Sequence, residues 1–171
     1  IRAPSPPAGT GSPRLRRSMI AISARPSGLS SGIRATGRRA AQVGCWRTRR
    51  SKVLAVEAER AAHLACKAAG AMSGGRVLAL HRDLFRSPLQ PEELNRFDAI
   101  LIDPPRAGAR AQVAEIAAST VSRVVYVSCN PSSWARDAAT LVEAGFRLTK
   151  LRPVGQFRWS THVELVSLFE R

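Results

Sequence analysis

Acidic residues are missing from the first third of this chain. Residues 1–52 hold 12 lysines and arginines and not one aspartate or glutamate. Trp46 is their only aromatic residue. Such a stretch lacks the apolar mass to offset the entropy of ordering it. Cysteine is scarce as well: Cys45, Cys66 and Cys129 are the full set, an odd number with no CxxC pair. That excludes a recognisable zinc pattern and argues against a disulfide framework. No metal site is expected. No apolar run is long enough to cross a bilayer, so no membrane span is expected. No signal-peptide core is seen, so a reducing cytoplasm is the expected compartment.

What is present divides near Lys52. The formal charge of +15 over 171 residues points to a polyanionic partner such as RNA. The charge is unevenly spread: the other 15 of the 27 basic residues share residues 53–171 with all 12 acids, a net of only +3. The first segment is rich in Pro, Gly, Ser and Arg, with SMIAIS (Ser18 to Ser23) as its one strand-like run. Three readings fit it: a basic RNA-binding arm, a disordered tail, or GC-rich coding DNA read out of frame. The abrupt onset of patterned sequence at Val53 favours the last.

From Val53, short apolar strands alternate with amphipathic helices. VLAVE is a strand; AERAAHLACKAAG is an Ala-rich helix that stops at Gly70. RVLAL, AILI and RVVYVS are further strands, and ARAQVAEIAAST and SSWARDAATLVEAG are helices, the second with a Ser start and a Gly stop. FRLTKLRPV and THVELVSLFE close the chain as two strands. The order predicts an α/β fold with a mostly parallel sheet and right-handed crossovers. Ligands of such sheets bind at the carboxyl ends of the strands. Glu57, Asp83, Asp103 and Cys129 all fall there.

Each of these residues has a bland reading beside a chemical one. Glu57 either accepts hydrogen bonds from ribose hydroxyls or serves the dipole of the following helix. Asp103, stiffened by Pro104 and Pro105, either faces a flat substrate or closes an Asx turn. Cys129 is either a small core residue or a nucleophile whose thiolate nearby backbone N–H groups favour. Cys66, inside the Ala-rich helix, is assigned to the core. Glu164 sits on an otherwise apolar strand, which is costly unless it is paired or useful, and His162 is on the same face.

Together, VLAVE, RDLF (Arg82 to Phe85), FDAILIDPPRAG, YVSCNPSSWARDA and FRWSTHVELVSLF resemble the S-adenosylmethionine-dependent RNA uracil-5-methyltransferases, which make 5-methyluridine in rRNA and tRNA. The resemblance covers residues 53–171. It implies a Rossmann-like class I methyltransferase domain, S-adenosyl-L-methionine as cofactor and RNA as partner, acting as a monomer. It implies Cys129 as the nucleophile that adds to uracil C6, and Glu164 as the base that removes the C5 proton. It implies contacts from Glu57 and Asp83 to the cofactor's ribose and adenine, with Asp103 between cofactor and base. The HVE acid argues against an RNA cytosine-5-methyltransferase.

The departures bear on activity. LSSGIRATG (Leu29 to Gly37) is only a faint echo of the family's first motif, a strand, an acid and a glycine-rich turn. The expectation is therefore a partial domain, with the first strand and its glycine-rich motif missing or degraded and with impaired activity; either SMIAIS or AAQVGCW (Ala40 to Trp46) substitutes as the central strand, or the fragment folds poorly. GQFRW replaces a usual Asp-x-Phe-Pro stretch. The rival expectation is a non-enzymatic basic RNA-binding protein whose arm is residues 1–52. Without a glycine-rich turn the backbone cannot closely approach the methionine moiety. Titration calorimetry of the chain with S-adenosylmethionine is thus expected to show no measurable binding; micromolar affinity would contradict this.

Overall fold

A computed structural model of the chain describes residues 18–23, 52–155 and 163–171. Seven strands form one sheet: β1 (Ser18–Ser23), β2 (Lys52–Glu57), β3 (Val77–His81), β4 (Ala99–Asp103), β5 (Arg123–Ser128), β6 (Arg147–Gly155) and β7 (Val163–Glu170). Among the described residues, four helices accompany them: α1 (Arg60–Met72), α2 (Pro91–Leu94), α3 (Arg110–Ala118) and α4 (Pro131–Glu143). The strand order is β3-β2-β1-β4-β5-β7-β6. Strands β1 to β5 are parallel, and β7 runs antiparallel between β5 and β6. The predicted α/β class and mostly parallel sheet are observed.

Of the two runs that could stand in for the family's first strand, SMIAIS does so. SMIAIS occupies the centre of the sheet as β1, pairing with β2 on one side and β4 on the other. The physical reason is the demand of its neighbours. Without a strand between them, β2 and β4 would each expose a row of unpaired backbone donors and acceptors. The six residues Ser18–Ser23 match β2 along its whole length, from Ser18 beside Lys52 to Ser23 beside Glu57. The glycine-containing LSSGIRATG stretch lies outside the described residues, as do AAQVGCW and Cys45.

One face of the sheet carries the core. Ile100, Ile102, Val124, Tyr126 and Phe169 meet Val113 and Ile116 of α3 and Leu141 of α4, all essentially inaccessible to water. Burying each large apolar side chain stabilises the fold by roughly 1.5–3 kcal/mol. Helix α4 ends where the chain turns left-handed at Gly145 (φ 91°), and Phe146 N–H returns to Leu141 C=O at 3.0 Å. Glycine adopts that conformation without a Cβ clash. The Arg171 guanidinium lies over the Phe146 ring at 4.1 Å and donates to the carbonyls of Ser119 and Val121, closing the C-terminal end.

Helix α1 has few buried residues, and Gly70 is its closest approach to the sheet. A Cβ there would lie 2.6 Å from the Val77 carbonyl oxygen. Gly70→Ala is therefore expected to destabilise the fold by about 1 kcal/mol net: overpacking against rigid backbone costs roughly 1–3 kcal/mol and outweighs a helix-propensity gain of up to about 1 kcal/mol. Urea unfolding measures the difference; a variant more stable than the parent would contradict the close packing.

Candidate active site

Sheet register aligns the strand ends. His81, Glu57, Ser23 and Asp103 form one row across β3, β2, β1 and β4 at the carboxyl edge. The carboxylate that caps α1 belongs to Glu59, which accepts from Ala61 N–H at 3.0 Å and Ala62 N–H at 3.1 Å. Glu57 remains at the strand end, its carbonyl fixed by the Arg82 N–H at 3.0 Å. Burial, and next the nearby negative charge of Glu57, push the Cys66 thiol up. A less acidic thiol is a poorer nucleophile at neutral pH, but Cys66 is only partly buried and lies outside the core to which it was assigned.

Asp83 follows β3 in a tight turn, where one carboxylate oxygen accepts the Phe85 N–H at 2.9 Å. Arg86 is 3.7 Å from the other oxygen, an exposed pair of small energetic weight. The turn presents Leu84 and Phe85 to a shallow apolar cleft, lined also by Ile102, Pro104 and Gln112, between the Asp83 turn and the exit of β4. Among the described residues, no group of three His, Cys, Asp or Glu side chains is disposed to hold a metal.

Beyond Asp103 the chain runs through Pro104 and Pro105 to Gly108, whose φ is 85°. This loop is fastened to the start of α4. The Asn130 side chain donates to Arg106 C=O at 2.8 Å, and Arg136 donates to Ala107 C=O at 2.9 Å. Ala109 N–H donates to the Asp137 carboxylate at 2.7 Å. The cap of α4 differs from the expected Ser start: Asn130 is the N-cap, its side chain accepting the Ser132 N–H at 3.1 Å. Asn is as good a cap as Ser, and Pro131 suits the first helical position.

Cys129 is half-buried, between the end of β5 and that cap. Strands β5 and β7 pair from Arg123 beside Glu170 to Ser128 beside Leu165. Cys129 and Glu164 are the residues next beyond that last pair, at the same end of the two strands. The two residues proposed for chemistry, far apart in the chain, thus share one edge. His162 and most of GQFRW lie outside the described residues.

Sequence reasoning missed four residues that hold this edge together. Asp137 is 1 % exposed in the middle of α4, and the Tyr126 hydroxyl donates to it at 2.6 Å. Trp134 donates to Ser167 Oγ at 2.9 Å, and Ser167 donates on to Tyr126 C=O at 3.1 Å. A signal did exist: Ser133, Asp137 and Leu141 recur every four residues, so the acid lies on the helix face that Leu141 buries.

The family model described as tRNA (Uracil-5-)-methyltransferase matches residues 75–171. An uncharacterized RNA methyltransferase of Zymomonas mobilis is 56% identical over 120 residues, 70% of this chain and 30% of that protein. A 23S rRNA (uracil(1939)-C(5))-methyltransferase of Vibrio vulnificus is 48% identical over 82 residues, 48% of this chain and 19% of that protein. The chain thus spans about 30% or less of the length of these relatives. The crystal structure of a Pyrococcus abyssi tRNA (uracil-54, C5)-methyltransferase with S-adenosyl-L-homocysteine superposes with a TM-score of 0.64. It covers 90% of this chain and 34% of that one at 20% identity, a likeness of fold.

Proposed function

Because the chain belongs to the tRNA (uracil-5-)-methyltransferase family, we propose that residues 53–171 are the C-terminal part of the catalytic domain of an RNA uracil-C5 methyltransferase. The observation that supports this reading is the β5–β7 register, whose last pair, Ser128 beside Leu165, precedes Cys129 in one strand and follows Glu164 in the other. The substrate is a uridine in rRNA or tRNA, flipped out of its surroundings so that C5 and C6 are accessible.

Uracil C5 is a weak nucleophile, and the residues at this edge supply what it lacks. The Cys129 thiolate adds to C6, forming an S–C6 bond and shifting the C5=C6 electrons toward C5 and O4. S-adenosylmethionine, when bound, supplies the methyl group that C5 then accepts. Glu164 takes the remaining proton from C5 as general base. The electrons of that C–H bond restore C5=C6 and expel the thiolate. Glu57 and Asp83 hold the ribose and adenine ends of the cofactor against the apolar cleft, and Asp103 borders both ligands at the rigid exit of β4. The chain's activity is impaired, because its sequence has no clear counterpart of the acidic, glycine-rich motif that would seat the methionine end.

A fluorine at C5 tests the assignment. Once C5 carries fluorine and methyl, no proton is left for Glu164 to remove, and the Cys129 adduct persists. Incubated with 5-fluorouridine RNA and millimolar S-adenosylmethionine, the chain is expected to form, slowly, a complex that survives denaturing electrophoresis. Cys129→Ala is expected to abolish it. Salt-sensitive RNA binding that disappears with residues 1–52, without any covalent complex, would favour a basic binding module instead.

A further inference from the structure

Asp137 is a charged group where stability does not call for one. A buried carboxylate loses its hydration, and well-packed apolar residues often serve a core as well or better. This one is fully engaged. One oxygen accepts the Tyr126 hydroxyl at 2.6 Å and the Ala109 N–H at 2.7 Å. The other accepts from Arg136 at 2.8 and 3.0 Å. Burial, and then the hydrogen bond to Asp137, push the Tyr126 phenol up, so it stays a donor throughout the physiological range.

The partners of Asp137 belong to three separate segments. Tyr126 lies in β5, three residues before Cys129. Ala109 ends the loop that begins at Asp103. Arg136 reaches the same loop through Ala107 C=O. The loop backbone comes so close to α4 that a Cβ on Gly108 would sit 2.5 Å from Arg136 Nη2 and 2.6 Å from Asp137 Oδ2. Nothing bulkier than glycine fits between loop and carboxylate without displacing one of them.

We propose that Asp137 is a positioning residue: by taking the Ala109 N–H and the Tyr126 hydroxyl on a single oxygen, it docks the 104–109 loop on α4 and fixes the spacing between Asp103 and Cys129. Its catalytic meaning rests on the function proposed above; the docking itself does not. A backbone donor and a phenol converging on one anionic oxygen define a single loop position more narrowly than apolar packing would. Asparagine at 137 keeps the shape but not the charge. Its single amide oxygen then holds both donors weakly, or its amide nitrogen faces one of them.

The first test needs neither RNA nor cofactor. Alkylation of Cys129 by iodoacetamide, followed by peptide mass spectrometry, reads how often the loop and the α4 cap open, with Cys66 as internal reference. In Asp137→Asn, alkylation of Cys129 relative to Cys66 is expected to rise about tenfold, the ratio for losing one charge-assisted hydrogen bond. Arg136→Met separates docking from simple electrostatics; the Arg136 side chain is 44 % exposed, Asp137 keeps the Tyr126 and Ala109 donors, and circular dichroism confirms that the variant is folded. Loss of its bond to Ala107 raises Cys129 reactivity if docking governs it. Loss of its positive charge lowers reactivity if the local field governs it. Unchanged Cys129 labelling in both variants, or a fall in Arg136→Met, overturns the proposal.

The second test reads position rather than folding. With 5-fluorouridine RNA, Asp137→Asn is expected to slow adduct formation at saturating RNA while leaving the RNA concentration for half-maximal rate unchanged. Asp137→Glu is not expected to restore the rate, because the longer acid cannot hold the loop at the same distance. A rate equal to the parent's overturns the positioning role. A parent chain that forms no adduct refutes the functional reading, and the alkylation result then decides the docking alone.

Discussion

The ladders on either side of β5 are the constraint on which this site depends. Strand β4 runs parallel to β5, so the carboxyl ends of both, and with them Asp103 and Cys129, emerge at one edge. Strand β7 runs antiparallel to β5, so its beginning, and with it Glu164, comes to that same edge. A parallel β7 would carry Glu164 to the opposite end of the sheet, about 20 Å away for a six-residue strand. A slip of one residue would turn Glu164 to the other face. The reversal of the last strand is thus a condition for the proposed chemistry. Burial of Ser167 and Phe169 on the core face secures its register.

Helix α4 converts this edge into a defined site. Its cap residue Asn130 holds Arg106, Trp134 holds Ser167 of β7, and Asp137 holds Ala109 and Tyr126. The segments carrying Asp103, Cys129 and Glu164 are therefore all bonded to one rigid element. Ordering them in advance spares the entropy that a bound uridine would otherwise have to offset.

Much of this was legible in the sequence, because apolar runs of strand length separated by Ala-rich helices admit few topologies. VLAVE, AILI and RVVYVS read as strands and are strands. Asp103 and Cys129 read as strand-end residues because Pro-Pro and Asn-Pro stop what precedes them. Glu59 was not distinguished from Glu57, since capping depends on backbone angles two residues apart. Asp137 was passed over because its burial follows from how α4 sits on the sheet, and an acid in a helix is ordinarily solvated. SMIAIS and AAQVGCW were equally open as the central strand, because both are short runs in a segment without patterning around them. Only the unpaired edges of β2 and β4 reveal the need for it.

The central claim is that Cys129 and Glu164 act on one uracil ring, the thiol opening the reaction and the carboxylate closing it. The most direct measurement uses ordinary uridine RNA and Glu164→Gln. With the base removed, methylated C5 keeps its proton, the thiolate is not expelled, and a covalent complex of protein and RNA should accumulate on a denaturing gel. It should be absent from the double variant that also carries Cys129→Ala. Methylated product released by Glu164→Gln at the parent's rate, with no complex, would contradict the account.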